Sequence, residues 1–140
     1  MKKKLSNNKG FSLVELIIVI AIMAVLIGVL APQYLKYVEK SKISSDSDLV
    51  ASIRSGVETM ISDPDYDITA GTIVISDSGI TVNSFDATKG GSSVVDEVMG
   101  ANWKNQKFKS KKYKANGNVT ITVTIDSDGI PTCTDDAPLD

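Results

Sequence analysis

Apolar and polar positions change rhythm twice along this chain. From Phe11 to Ala31 the only polar side chains are Ser12 and Glu15, so 21 residues carry a single charge. A helix of that length measures roughly 32 Å, enough to cross the hydrocarbon core of a bilayer. Pro32 then removes a backbone donor and crowds the preceding turn, and Gly28 weakens the same stretch, which predicts a kink near Pro32. Past it, Ile43, Val50, Ile53, Val57, Met60 and Ile61 recur near helical spacing, with Lys36, Lys40, Lys42, Asp46, Arg54 and Glu58 expected largely on other faces. The pattern predicts one helix from Phe11 to about Ser62, apolar all round in its first half and amphipathic in its second. Asp63-Pro64-Asp65 ends it.

After residue 62 the period shortens to that of strands. Thr72 to Ile75 and Ile80 to Val82 flank Asp77-Ser78-Gly79, a hairpin signal. Ser92-Ser93 is placed to cap a short helix, Val94 to Met99, stopped by Gly100. Phe108 to Lys114 reads as a strand leading into Asn116-Gly117, the turn pair favoured in tight hairpins. Val119 to Ile125 alternates strictly, giving a β-branched apolar face and a threonine face, and Ser127-Asp128-Gly129 turns into a last strand, Ile130 to Thr134. A helix with an apolar stripe beside an antiparallel sheet with one apolar face predicts a two-layer α+β fold.

The carboxylate inside the apolar run is the anomaly, since an acid at a membrane centre costs on the order of 3 kcal/mol and usually has a function. Lys9-Gly10-Phe11-Ser12-Leu13-Val14-Glu15-Leu16-Ile17-Ile18-Val19-Ile20-Ala21-Ile22 resembles the N-terminus of type IV pilins, pseudopilins and competence pilins. The resemblance implies a pilin fold with a leader at 1–10, a transmembrane and filament-core half-helix at 11–33, an amphipathic half at 34–62 and a β-rich head at 63–140. It implies cleavage by a prepilin peptidase between Gly10 and Phe11, N-methylation of Phe11, and docking of Glu15 on the Phe11 amine of a neighbouring subunit. Two charges in hydrocarbon gain most by pairing with each other; pairing within one subunit is the competing arrangement. Implied partners are the chain itself as a helical homopolymer, the peptidase, the assembly platform and its ATPase, minor pilins, and the membrane before assembly. The expected role is a major pilin in a surface filament supporting adhesion, motility or biofilm formation. A secretion pseudopilin and a DNA-uptake competence pilin are the alternatives.

An ordinary secretory signal fits less well, because Pro32 would directly follow the only plausible cut, after Val29-Leu30-Ala31, and Glu15 interrupts the apolar core. The four leader lysines place the N-terminus in the cytoplasm by the positive-inside rule. Removing residues 1–10 takes the net charge from -2 to -6, which argues against nucleic acid as a partner.

The chain has no His, so imidazole metal ligation and His-based triads are excluded, and its single Cys133 cannot close an internal disulfide. That lone cysteine departs from the disulfide-closed pattern of many Gram-negative pilins and suits Gram-positive ones. No nucleophile–base pair or phosphate loop appears, so neither an enzyme nor a cofactor is expected. Asp126, Asp128, Asp135, Asp136 and Asp140 suggest calcium, yet Asp126-Ser127-Asp128-Gly129 lacks the distant glutamate of an EF-hand loop, and no metal site is expected. Lys104, Lys107, Lys109, Lys111, Lys112 and Lys114, interleaved with Trp103, Phe108 and Tyr113, form a candidate interaction surface. They read either as a contact for DNA or an acidic neighbour, or as a solvated edge strand whose lysines discourage aggregation.

Overall fold

The computed structural model describes residues 10–138. The leader before Gly10, and Asp140 among the candidate calcium ligands, lie outside the described residues. Contacts divide the chain into two units, Met1–Val38 and Glu39–Asp140.

The first unit is helical wherever it is described in full turns. Helix α1 (Leu13–Ser62) contains Pro32 and extends into the second unit. Between Leu13 and Leu35 its large apolar side chains are exposed on every side. Such a surface is stable in lipid or against other helices, not in water.

In the second unit α1 becomes one-sided. Asp46, Val50, Ile53, Val57 and Met60 are its buried residues, spaced alternately four and three apart so that they share one face. The strands are β1 (Asp67–Thr69), β2 (Gly71–Ile75), β3 (Ile80–Asn83), β4 (Asp86–Lys89), β5 (Ser92–Ser93), β6 (Val119–Ile125) and β7 (Pro131–Asp135). Two short helices, α2 (Val95–Met99) and α3 (Lys111–Asn116), and a 3₁₀ turn at Trp103–Asn105 lie between β5 and β6. One sheet has the order β3-β2-β6-β7 and a smaller one β1-β4-β5, all pairs antiparallel. Ile73 and Ile75 of β2 and Val119, Ile121 and Val123 of β6 join the α1 face in one core with Phe85, Trp103, Phe108 and Tyr113. Burying each such side chain contributes about 1.5–3 kcal/mol. The fold is α+β, a long N-terminal helix with antiparallel sheets, as the alternation in the sequence requires.

Three local expectations fail, each for a physical reason. Phe108 to Lys114 is not a strand: the Ser110 hydroxyl accepts from the Tyr113 N–H at 3.2 Å and starts α3. Asn116-Gly117 closes that helix rather than a hairpin. Gly117 has φ 89°, and a helix end and a tight hairpin both call for glycine in that region. Ser92-Ser93 pairs with Thr88 and Lys89 as β5, and α2 begins behind Val94 without a side-chain cap. Strands β1 and β4 escape the periodicity because each is only three or four residues long.

Gly71 shows how tightly β2 is hemmed in. Phe85 N–H donates to Asn83 O at 2.8 Å around Ser84, whose φ is 61°. That turn presses on Gly71, where an added Cβ would fall 2.1 Å from Phe85 N and 2.4 Å from Asn83 O.

Candidate assembly and interaction sites

The first site is the head of the apolar helix. Phe11 is 91 % exposed. Ser12 N–H donates to Glu15 Oε2 at 3.0 Å and Glu15 N–H donates to Ser12 Oγ at 3.2 Å. This reciprocal pair is a capping box, and Leu16 N–H follows with the first helical bond to Ser12 O at 3.2 Å. The carboxylate thus satisfies a backbone donor of its own chain and adds negative charge at the positive end of the helix dipole. Sequence reasoning noted Glu15 and missed Ser12, although Ser-x-x-Glu before an apolar run is the signature of such a cap. The described contacts bring Glu15 to Ser12, not to Phe11.

The second site is the lysine segment, built around two acids of α1. Asp46 is 1 % exposed, which corrects its expected place on a polar face. Its Oδ1 accepts from Lys109 N–H at 2.9 Å, and its Oδ2 accepts from the same N–H at 3.0 Å and from Ser110 N–H at 2.7 Å. Glu39, seven residues earlier, accepts from Lys111 N–H at 2.5 Å. Two carboxylates thereby hold three consecutive backbone donors. A buried carboxylate is tolerated when hydrogen bonds of this kind replace its water. Asp46 continues the four-three spacing of Val50, Ile53, Val57 and Met60; treating every acid as solvated hid it.

With the backbone held this way, the side chains sort cleanly. Lys104, Lys107, Lys109, Lys111, Lys112 and Lys114 are all exposed, whereas Trp103, Phe108 and Tyr113 are buried. These lysines lie on a 3₁₀ turn, a loop and a helix, not on the edge strand that the alternation suggested. The aromatics are core: Phe108 and Tyr113 pack with ring centroids 4.9 Å apart, so they offer no platform for stacking bases. Lys104 lies 3.5 Å from Asp96 and over the Trp103 ring, whose indole N–H donates to Asp96 Oδ1 at 2.8 Å. That N–H, and secondarily the Lys104 charge, holds the Asp96 carboxyl below its ordinary range. Ser45, Asp48, Leu49, Ser52, Gln106 and Lys107 are among the residues lining a cleft of about 520 Å³ beside this segment.

Of the candidate calcium residues, Asp126, Asp135 and Asp136 have their carboxylates engaged locally. Asp126 Oδ1 accepts from Asp128 N–H at 2.9 Å and Ile130 N–H at 2.8 Å, closing the β6–β7 turn with Gly129 at φ 78°. Asp135 pairs with Arg54, and Asp136 accepts from Thr120 N–H at 2.5 Å. Cys133 is half-buried on β7, and that burial pushes its thiol pKa up.

Residues 5–31 match the model of the prokaryotic N-terminal methylation motif. The chain is 38% identical over 58 residues to the type IV major fimbrial protein FimA of Dichelobacter nodosus, covering 41% of this chain and 37% of that protein. It is 34% identical over 91 residues to fimbrial protein EcpC of Eikenella corrodens, covering 63% and 60% respectively. Against the type IV major alpha-pilin of Moraxella bovis it is 27% identical over 137 residues, 92% of this chain and 86% of that one. The chain thus spans well under half the length of the FimA relatives it matches. No solved structure matches.

Proposed function

We propose that this chain, a type IV pilin by its methylation motif and its relatives, is the structural subunit of a type IV pilus and performs no catalysis of its own. The observation that carries the reading is a methylation motif placed at the head of a helix whose apolar side chains are exposed on every side. Such a helix serves twice. It anchors the precursor in lipid, and it forms the filament core once subunits stack. Moving it from lipid into a bundle of like helices changes apolar burial little, so transfer is nearly balanced and an assembly motor can drive it.

In this reading a prepilin peptidase cuts between Gly10 and Phe11 and the new amine is methylated. Lysines 2, 3, 4 and 9 keep the leader in the cytoplasm and send the C-terminus outward. Glu15 then has two duties. It caps its own helix through Ser12, and its remaining lone pairs receive the Phe11 amine of the next subunit during docking. Pro32 is the point at which the long helix can bend. The names of the matched relatives favour a pilus subunit over a secretion piston or a DNA-uptake module.

Electron microscopy of sheared surface fibres, with mass spectrometry of their subunit, tests the proposal. Long filaments built from a chain beginning at methylated Phe11 are expected. A chain beginning at Met1 or Pro32 would sink it. Glu15→Ala is expected to leave the subunit in the membrane and to lower filament yield; normal yield would remove the docking role.

A further inference from the structure

The second unit carries opposite charges at its two ends. At one end, Phe108 N–H donates to Ser76 O at 3.0 Å, just beyond β2, and the next three residues are tied to Asp46 and Glu39. Lys107, Lys109, Lys111, Lys112 and Lys114 are exposed there, with Lys40 and Lys42 on the adjoining helix. Asp48, Asp77 and Asp136 are exposed carboxylates at the same end, the last bonded to Thr120 beside the start of β6, while Asp46 and Glu39 are turned to backbone donors, so the exposed lysines outnumber the exposed acids there. At the other end, Asp63 and Asp67 share a cleft with Ile125, Gly129 and Pro131, so the acids after α1 lie beside the β6–β7 turn carrying Asp126 and Asp128. Lys89 neutralises part of this end by pairing with Asp65 at 3.1 Å.

Two rulers give the separation. Asp46 to Ser62 along α1 is about 24 Å, and the length of β6 is similar, about 20–24 Å. That is beyond the screening length of about 8 Å in physiological salt, so the two ends of one chain cannot neutralise each other.

We propose that the lysine end docks on the aspartate end of a second copy of this chain, so that successive subunits meet basic end to acidic end. The inference rests on the pilus reading and says which faces meet in it. The contact is heterologous and does not close, as an open filament requires. Nucleic acid is the weaker occupant: the interleaved aromatics are buried, and the cleaved chain is acidic overall.

Charge reversal in the full-length chain, in cells that make the fibres, tests the contact. Lys107→Glu/Lys111→Glu/Lys114→Glu alters the basic end. Asp67→Lys/Asp128→Lys alters the acidic end while sparing Asp63, Asp65 and Asp126, which hold turns or an ion pair. Each variant is expected to lower sheared-fibre yield at least about tenfold, because like charges brought face to face repel strongly. The membrane level of cleaved subunit should not change, and combining the two sets should restore fibres. Wild-type yield from the lysine variant, or no recovery in the combination, overturns the contact and leaves the pilus reading standing. A lysine variant with normal fibres that no longer retains duplex DNA assigns the face to nucleic acid and also overturns it. If the unaltered chain makes no fibres, the pilus reading fails instead, and the contact is then read by sedimentation of the detergent-solubilised chain. Salt-sensitive association lost in each variant and regained on mixing the two supports it; no association overturns it.

Discussion

Asp46 shows how much one side chain decides here. Its carboxylate is buried and takes the N–H groups of Lys109 and Ser110. Asp46→Ala strands those donors and should cost about 2–4 kcal/mol, whereas Asp46→Asn keeps one acceptor oxygen and should cost about half as much. Urea unfolding of the detergent-solubilised chain, followed by the fluorescence of its single tryptophan, measures both; equal losses would contradict the account. The same tryptophan reports on Asp96, whose carboxyl is held below its ordinary range by the Trp103 N–H and by Lys104. A depressed folded-state value stabilises the fold above the unfolded carboxylate value near 4, and that contribution disappears as pH falls through the lower folded value. Trp103 emission should therefore shift on acidification below about pH 4, and Asp96→Asn should flatten that change. Glu15 and the alternating apolar positions were legible in the sequence. Asp46 was not, because its bonds go to backbone 63 and 64 residues away and leave no local trace beyond its phase on the helix.

Among the elements, two glycines separate backbone constraint from side-chain contact. At Gly71 an added methyl would meet the backbone of Phe85 and Asn83, which cannot swing aside, so Gly71→Ala should cost about 1–3 kcal/mol and loosen β2 from β3. At Gly56 it would meet the Met99 side chain at 2.5 Å, a flexible thioether. Alanine gains about 1 kcal/mol of helix propensity there, so Gly56→Ala should leave stability within about 1 kcal/mol of the parent. Thermal unfolding of the two variants side by side decides between them. The β2–β3 hairpin, the strict alternation of β6 and the end of α1 near Ser62 could be read directly, since each rests on its own period or turn residues. The lysine segment could not. Its aromatics alternate with cations as a half-wet strand would, but the acids of α1 claim the donors of Lys109, Ser110 and Lys111, and the Ser110 cap starts a helix there.

At the scale of the whole molecule, the two units have unlike solvents. The second has a closed apolar core, whereas the first shows its apolar side chains on every side and needs lipid, detergent or neighbouring helices. The full-length chain should stay with membranes through an alkaline carbonate wash, as assayed by sedimentation and blotting; release into the supernatant would contradict this. Ser12 and Glu15, which close the first helical turn, both lie downstream of the scissile bond proposed at Gly10. Proteolysis there would leave the fastening of the rod's tip untouched while removing four lysines and planting one positive charge beside it. On the proposed reading, maturation would be an electrical change that spares this cap, and a subunit freed of its leader would be ready to be taken up at once.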